Sequence, residues 1–418
     1  MSQLLDSLVN PQAIQYDNSR LENLKRLAKN LELLNGEIPI ISVTGTNGKG
    51  STVAALNRIY REAGYNVGVF TSPHLLSVHE RIKVNDTLIS EDDLNQLTEI
   101  LQSSTEFLSL SWFEAFFIIS LMHFKRHPLD VLILEVGMGG RLDATNIIDA
   151  DLVIVTNVDL DHQAYLGETR EEIAFEKAGL FRFQKPAIFA DEHCPASIRE
   201  YAQSLMAPLY LNTQDYDFVE MKDHWQLRIL EKTYDFSKKP SILLSAMSAA
   251  IFATHCLQQV LPVTHKDWKA AIGSVFVPGR FQMVQQAGQA LMILDVGHNP
   301  HAAKNLLNRL QGLPVRGQVH LIFSILEDKD RKNIVDILKK MDILWYPCLL
   351  DCARACDSQA LIECLGTVEI HATPALALQK AREQAASNDV IVAFGSFHLI
   401  EPLMRLLIEE GCDVFRNH

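Results

Sequence analysis

Thr44-Gly45-Thr46-Asn47-Gly48-Lys49-Gly50-Ser51 combines residue types that suit phosphate chemistry. The stretch follows the apolar run Ile38–Val43, which predicts a short buried strand, and precedes Thr52–Ala63, which predicts a helix. A glycine-rich turn there points several backbone N–H groups at one spot. The helix N-terminus adds partial positive charge and Lys49 adds a full one, which is what a nucleoside triphosphate tail requires. Ser51 can offer its hydroxyl to a metal ion. The spacing departs from the common phosphate loop, because Gly45 stands three residues before Gly48 and Gly50 separates Lys49 from Ser51. A plain Gly/Asn turn is the competing reading.

Further polar stretches follow other apolar runs. Glu135 closes the run Asp130–Leu134, and a carboxylate in that position commonly holds a magnesium ion beside phosphates. Ser72 and His162 follow the runs Asn66–Phe70 and Leu152–Val155 and can complete a second metal site, which a histidine would also suit to manganese. Taken alone, His162 reads equally well as a hydrogen-bonded loop histidine. Lys177 follows Glu176 on a predicted helix, and its neighbours favour a surface ion pair. Gly137-Met138-Gly139-Gly140 lacks the dinucleotide spacing and reads as close backbone approach. Asp295-Val296-Gly297-His298-Asn299-Pro300, Asp328-Lys329-Asp330 and Gly395-Ser396-Phe397-His398 fall at predicted strand-to-helix junctions, where ligand contacts and ordinary caps are both open.

These residues need a scaffold that collects strand ends. Helices are predicted at 21–34, 92–101, 112–125 and 170–178, alternating with the strands above. Such alternation predicts an α/β fold with a mostly parallel sheet, whose chemistry gathers beyond the strands' carboxyl ends. Residues 205–240 predict short strands in an antiparallel edge, and 245–258 and 266–273 predict helices. Pro278-Gly279-Arg280-Phe281 breaks the pattern, giving domains 1–282 and 283–418. The second half predicts strands at 291–295, 318–323, 367–371 and 390–394, and helices at 300–311, 329–339, 374–386 and 399–409.

Composition narrows the partners. A net charge of −13 excludes a broadly basic nucleic-acid or anionic-membrane surface. Met1–Gln12 shows no signal-peptide pattern, and Trp112–Phe124 is too short and carries Glu114, so a cytoplasmic chain is expected. Seven scattered cysteines fit reduced thiols. Cys348, Cys352 and Cys356 recur at a spacing that raises a metal site, but no Cys-x-x-Cys accompanies them.

The ordered set of motifs resembles one family. Gly45–Ser51, Thr71–Leu75, Leu134–Asn146, Asp161-His162, Glu176–Gly179, Pro278–Phe281, His298–Pro300 and Gly395–Phe397 look like the bacterial bifunctional dihydrofolate synthase/folylpolyglutamate synthase family of the Mur ligase superfamily. The resemblance implies a P-loop ATPase-type domain that also binds pterin, followed by a smaller Rossmann-like glutamate ligase domain. It implies that ATP converts a carboxylate to an acyl phosphate, which the amine of L-glutamate then attacks. Dihydropteroate would give dihydrofolate, and reduced folates would give γ-polyglutamates.

Residue by residue, the resemblance gives Gly45, Thr46, Asn47, Gly48, Lys49, Gly50, Ser51, Arg280, Asp295 and His298 to ATP. It gives Ser51, Ser72, Glu135 and His162 to two Mg²⁺ ions, with Mn²⁺ able to replace them. Lys49, Glu135, His162 and Lys177 would be catalytic, and Lys177 matches a lysine carbamylated in the family. Phe113, Asp143 and Ala144 would line the pterin pocket. An interdomain site that closes during the cycle, a monomer, and room for a monovalent cation complete the expectation. Ser245-Ala246 stands where members often carry Asn-Ala near adenine, and Asp295-Val-Gly-His298 where many have Asp-Gly-Ala-His. Two other readings are a nucleotide-linked muramyl ligase and a non-catalytic nucleotide switch. Too little chain precedes the first core strand for the sugar-nucleotide domain of the former. The latter lacks a guanine-specific Asn-Lys-x-Asp stretch and has no need of so many metal ligands.

Overall fold

The structure is a computed structural model that describes residues 18–34, 38–104, 106–286, 288–313 and 317–415. Met1–Gln12, where a signal-peptide pattern was sought, lies outside the described residues. The chain divides into two compact units, Met1–Val275 and Phe276–His418. Pro278–Phe281 therefore go with the second unit, where Val296 N donates to Gly279 O at 2.8 Å.

The first unit is built on an eight-stranded sheet. Its strands are β1 (Ile40–Thr44), β2 (Val67–Phe70), β3 (Ile82–Val84), β4 (Thr87–Leu88), β5 (Val131–Glu135), β6 (Leu152–Val155), β7 (Ala187–Phe189) and β8 (Leu209–Leu211), in the order β4-β3-β2-β5-β1-β6-β7-β8. The β2-to-β8 portion is parallel, and β3 and β4 extend one edge antiparallel. Strands β1, β5 and β6 are buried at every position, as expected of strands covered on both faces. Each of the four neighbouring strands β2, β5, β1 and β6 leads into one of the polar stretches singled out in the sequence. The fold thereby puts all four stretches at one end of the sheet centre.

Helix Trp112–Lys125 starts where the Ser111–Glu114 capping box satisfies its first amides. It is buried nearly all round and packs Phe116, Phe117 and Ile118 into the core with Phe70 and Leu134. Residues 205–240 differ from expectation. Strand β8 joins the parallel sheet, while β9 (Tyr216–Glu220), β10 (Trp225–Ile229) and β11 (Lys232–Phe236) form a separate antiparallel sheet. Buried Trp225 stacks on Phe236 at 4.6 Å, so the small sheet has its own apolar face.

The second unit holds β12 (Gln282–Val284), β13 (Leu291–Asp295), β14 (Val319–Phe323), β15 (Ile343–Pro347) and β16 (Val390–Phe394), in the order β12-β13-β16-β14-β15. Only β12 runs antiparallel to its neighbour. The strand expected at 367–371 is not one: within it only His371 makes an isolated bridge, to Cys348. The edge strand is instead Ile343–Pro347, with Pro347 at its last pair, where a missing N–H costs least.

Candidate active site

Helix Lys49–Glu62 begins earlier than expected, with Gly48 in the left-handed conformation (φ 86°) as its N-cap. The loop before it is locked to the end of β6. Thr46 N donates to Asn157 O at 3.1 Å, Asn47 N to Asn157 Oδ1 at 2.8 Å, and Thr156 Oγ1 to Asn47 O at 2.6 Å. Two loop amides are thus committed to closing the loop. The first helical bond runs from Thr52 N to Gly48 O at 2.9 Å, so the helix presents its first-turn amides at its N-terminal end. Lys49 Nζ folds back onto Gly45 O at 2.9 Å and Thr46 O at 3.4 Å, holding its charge over the loop. The sequence marks 156–162 as a polar strand end but gives Thr156 and Asn157 no role of their own, because a Thr-Asn pair after a strand carries no local mark of its distant partner.

Gly45 shows how tight the loop is. It sits at φ 146°, and a Cβ there would fall 1.8 Å from Thr156 Oγ1. Gly45→Ala should therefore cost roughly 2 kcal/mol or more by overpacking and backbone strain. A thermal-unfolding midpoint equal to wild type would show that the loop yields instead.

Glu135 ends β5 with 5% exposure and accepts from Ser72 N at 3.1 Å. A Cβ on Gly50 would lie 3.6 Å from Glu135 Oε1, so the carboxylate faces the start of the phosphate-loop helix. Ser51 is buried in the same helix turn. Buried charge demands a counter-charge. Here Glu135 helps sustain the charge of Arg81, whose guanidinium is pulled down to about 10 by burial and supported by Glu135 and Glu80. Among the described residues no three His, Cys, Asp or Glu side chains form a metal cluster. The Glu135 carboxylate and the buried Ser51 hydroxyl are oxygen donors of the kind magnesium takes. His162 takes the left-handed conformation (φ 52°) beside Asp161, which accepts from His162 N at 2.9 Å, and its side chain is 41% exposed.

Two residues beyond Glu135 the chain meets a second group of side chains. A Cβ on Gly137 would fall 2.6 Å from Phe113 Cζ and 3.1 Å from Asp143 Oδ2, so only glycine lets the ring and carboxylate approach this backbone. Asp143 is buried and accepts from Met138 N at 3.0 Å, Thr145 N at 3.0 Å and Thr145 Oγ1 at 2.7 Å. Burial raises its pKa while those bonds oppose the rise. Ala144 is buried and opens the short 3₁₀ turn Ala144–Ile147.

Lys177 overturns the surface ion pair. It is 2% exposed, on the face that helix Arg170–Ala178 buries with Ile173, Ala174 and Ala178. Burial, and then repulsion from Lys49, lower its pKa to about 7 against the pull of Asp161 and Asp143. Glu176 pairs instead with Arg141, at 2.7 Å. The signal was present in the sequence, because 173, 174, 177 and 178 form one helical stripe.

In the second unit, Arg280, Asp295 and His298 come together. Asp295 is half-buried and accepts from Gly297 N at 2.8 Å; desolvation raises its pKa, opposed first by Arg280. The Arg280 guanidinium lies 5.7 Å from the Phe397 ring centroid, and the His298 ring 6.4 Å from it. His298 Nδ1 is 2.9 Å from Val296 O, which puts the ring proton on Nδ1 and leaves Nε2 as an acceptor. All seven cysteines are free; Cys348 is buried, and Cys356 contacts Arg331 at 3.5 Å.

Two family models match the chain. Residues 114–238 match the Mur ligase middle domain and 279–397 the Mur ligase glutamate ligase domain. The chain is 36% identical to the dihydrofolate synthase/folylpolyglutamate synthase of Escherichia coli (strain K12), over 93% of this chain and 91% of that one. It superposes with a TM-score of 0.91 on E. coli FolC in complex with DHPP and ADP, at 34% identity and covering 97% and 96% of the two chains. A Yersinia pestis bifunctional folylpolyglutamate synthase/dihydrofolate synthase complexed with AMPPNP and Mn ion gives 0.90, at 36% identity and with the same coverage. With that agreement along nearly the whole chain, the protein belongs to the dihydrofolate synthase/folylpolyglutamate synthase family of ATP-dependent Mur-type ligases.

Proposed function

We propose that this chain joins L-glutamate to dihydropteroate, giving dihydrofolate, and to reduced folates, giving γ-polyglutamates, through an acyl phosphate. The supporting observation is the end of β5. Glu135 faces Gly50 of the phosphate loop, and Gly137, two residues on, faces Phe113 and Asp143. An acceptor held by Phe113, Asp143 and Ala144 would have its carboxylate near the phosphate side of the same strand end, the proximity that phosphoryl transfer needs.

The acceptor carboxylate attacks the terminal phosphate of ATP, and the bond to ADP breaks. The neutral amine of glutamate then attacks the acyl carbon, and inorganic phosphate leaves. Lys49 and the Gly48–Ser51 amides would balance the phosphate charge, with Gly45, Thr46 and Asn47 shaping the loop. Ser51, Ser72, Glu135 and His162 would hold two Mg²⁺ ions, which supply Lewis-acid charge stabilisation when bound. The relative crystallised with AMPPNP and Mn supports a divalent ion beside the nucleotide. Arg280, Asp295 and His298 would also bind ATP. A buried amine with a pKa near 7 supports carbamylation of Lys177, since only the neutral amine adds to CO₂. A monomeric, cytoplasmic enzyme with room for a monovalent cation belongs to the same reading. No described helix is long and apolar enough to cross a membrane.

The test is ADP release with Mg²⁺, dependent on L-glutamate, with dihydropteroate and tetrahydrofolate offered separately. Turnover with both is expected. Turnover with tetrahydrofolate alone would leave a monofunctional polyglutamate synthase, and turnover with neither would refute the reading.

A further inference from the structure

Arg81 has no part in the roles given above. It is 9% exposed, a rare place for a guanidinium. Its Nε donates to His74 Nδ1 at 2.9 Å, which leaves the His74 ring proton on Nε2. Its guanidinium carbon lies 4.6 Å from the centroid of Trp112. The Trp112 ring also stacks on Phe116 at 5.0 Å, with planes 5° apart. Trp112 is the first residue of helix Trp112–Lys125 and the immediate neighbour of Phe113.

The residue before Arg81 grips the other side of the arrangement. Glu80 accepts from Leu75 N at 2.8 Å and from Leu76 N and Ser77 N at 2.7 Å each. Thr71 N donates to Arg81 O at 3.0 Å. Glu80 and Arg81 together thus tie the segment 71–77, which includes Ser72, to the start of the helix that carries Phe113.

Resting on the ligase reading, we propose that Arg81 is a positioning residue for the acceptor. By holding Trp112 against the Ser72–His74 strand end, it forms the acceptor pocket before the acceptor arrives. Pre-forming a pocket lowers the ordering cost of binding, so the effect falls on acceptor affinity more than on nucleotide binding, which Arg81 reaches only indirectly through Glu135 and Ser72. A planar, delocalised cation suits the task, because it stacks on an indole and donates to a ring nitrogen at once.

Steady-state kinetics with dihydropteroate varied at saturating ATP, Mg²⁺ and L-glutamate tests this. Arg81→Met should raise the acceptor KM about tenfold, with a much smaller change in the ATP KM. Arg81→Lys, which keeps the charge but not the planar stack, should fall between wild type and Arg81→Met. The double variant Arg81→Met/Trp112→Leu should be little worse than the worse single variant, because both remove the same contact. An unchanged acceptor KM, equal rises in acceptor and ATP KM, or fully additive losses would each overturn the proposal. Should Arg81→Met not fold, Arg81→Lys carries the test, and a wild-type acceptor KM in it refutes the stacking role. Failure of the wild-type protein to use dihydropteroate refutes the ligase reading itself; wild-type turnover with unaltered variants refutes only the role of Arg81.

Discussion

Glu135→Gln should fold like wild type and lose about a thousandfold or more in kcat. The amide keeps an oxygen for Ser72 N, whose bond to Glu135 Oε2 is 3.1 Å, so the strand end keeps its shape. What the variant removes is the negative charge facing Gly50 at the start of the phosphate-loop helix. Charge stabilisation of transferring phosphate in a water-poor site is worth several kcal/mol, which sets the size of the loss. The variant should also need far more Mg²⁺ for half-maximal rate, and titration of Mn²⁺ in the presence of a non-hydrolysable ATP analogue should show weaker binding. Activity within tenfold of wild type at ordinary Mg²⁺ would remove Glu135 from the metal site.

Lys177 gives the second large effect, and it separates function from stability. Lys177→Ala should lose on the order of 10²–10³ in kcat, comparable to removing one stabilising group from a transition state. If the lysine acts as a carbamate, the space left by Ala admits a small carboxylate, and added formate or acetate should restore part of the rate. Depleting CO₂ should slow the wild-type enzyme and leave the variant as it was. A variant with wild-type turnover, or one that no carboxylate rescues alongside a CO₂-insensitive wild type, would refute the carbamate.

The stability prediction follows from the lowered pKa. The folded amine titrates at about 7 and an unfolded lysine near 10.4. Between these values the unfolded chain binds more protons, so this group makes stability rise with pH across that window. Below about pH 7 both states are protonated, and the folded chain carries the full cost of a buried cation. Lys177→Met removes that cost and should melt no lower than wild type near pH 7, although inactive. The neutral amine fraction also falls below pH 7, so the rate should decline on that acid limb.

Much of the site was legible in the sequence because strand, turn and helix follow one another locally there. Apolar runs ending in glycine and polar residues located the ends of β1, β2, β5, β6 and β13, and Gly45–Ser51, Glu135 and His298 were singled out as candidates by that route. Helices Trp112–Lys125 and Arg170–Ala178 fall at their expected limits, since each begins at a Ser or Thr capping box that local chemistry fixes. What the sequence by itself determined is therefore which residues end strands and open helices.

Tertiary structure alone decided the rest. Strand 367–371 was a false expectation, because alternating Val368 and Ile370 fit a strand equally well, and an edge position is assigned only by pairing. Ile343–Pro347 won that position through its register with Val319–Phe323. Asn157 became the clamp of the phosphate loop only because β6 lies beside β1. Arg81 reaches Trp112 across a chain separation that no periodicity reports. Lys177 has a pKa near 7 because the fold buries it beside Lys49. Pairing, desolvation and Coulomb interaction between distant residues depend on separation in space, which local sequence pattern does not encode.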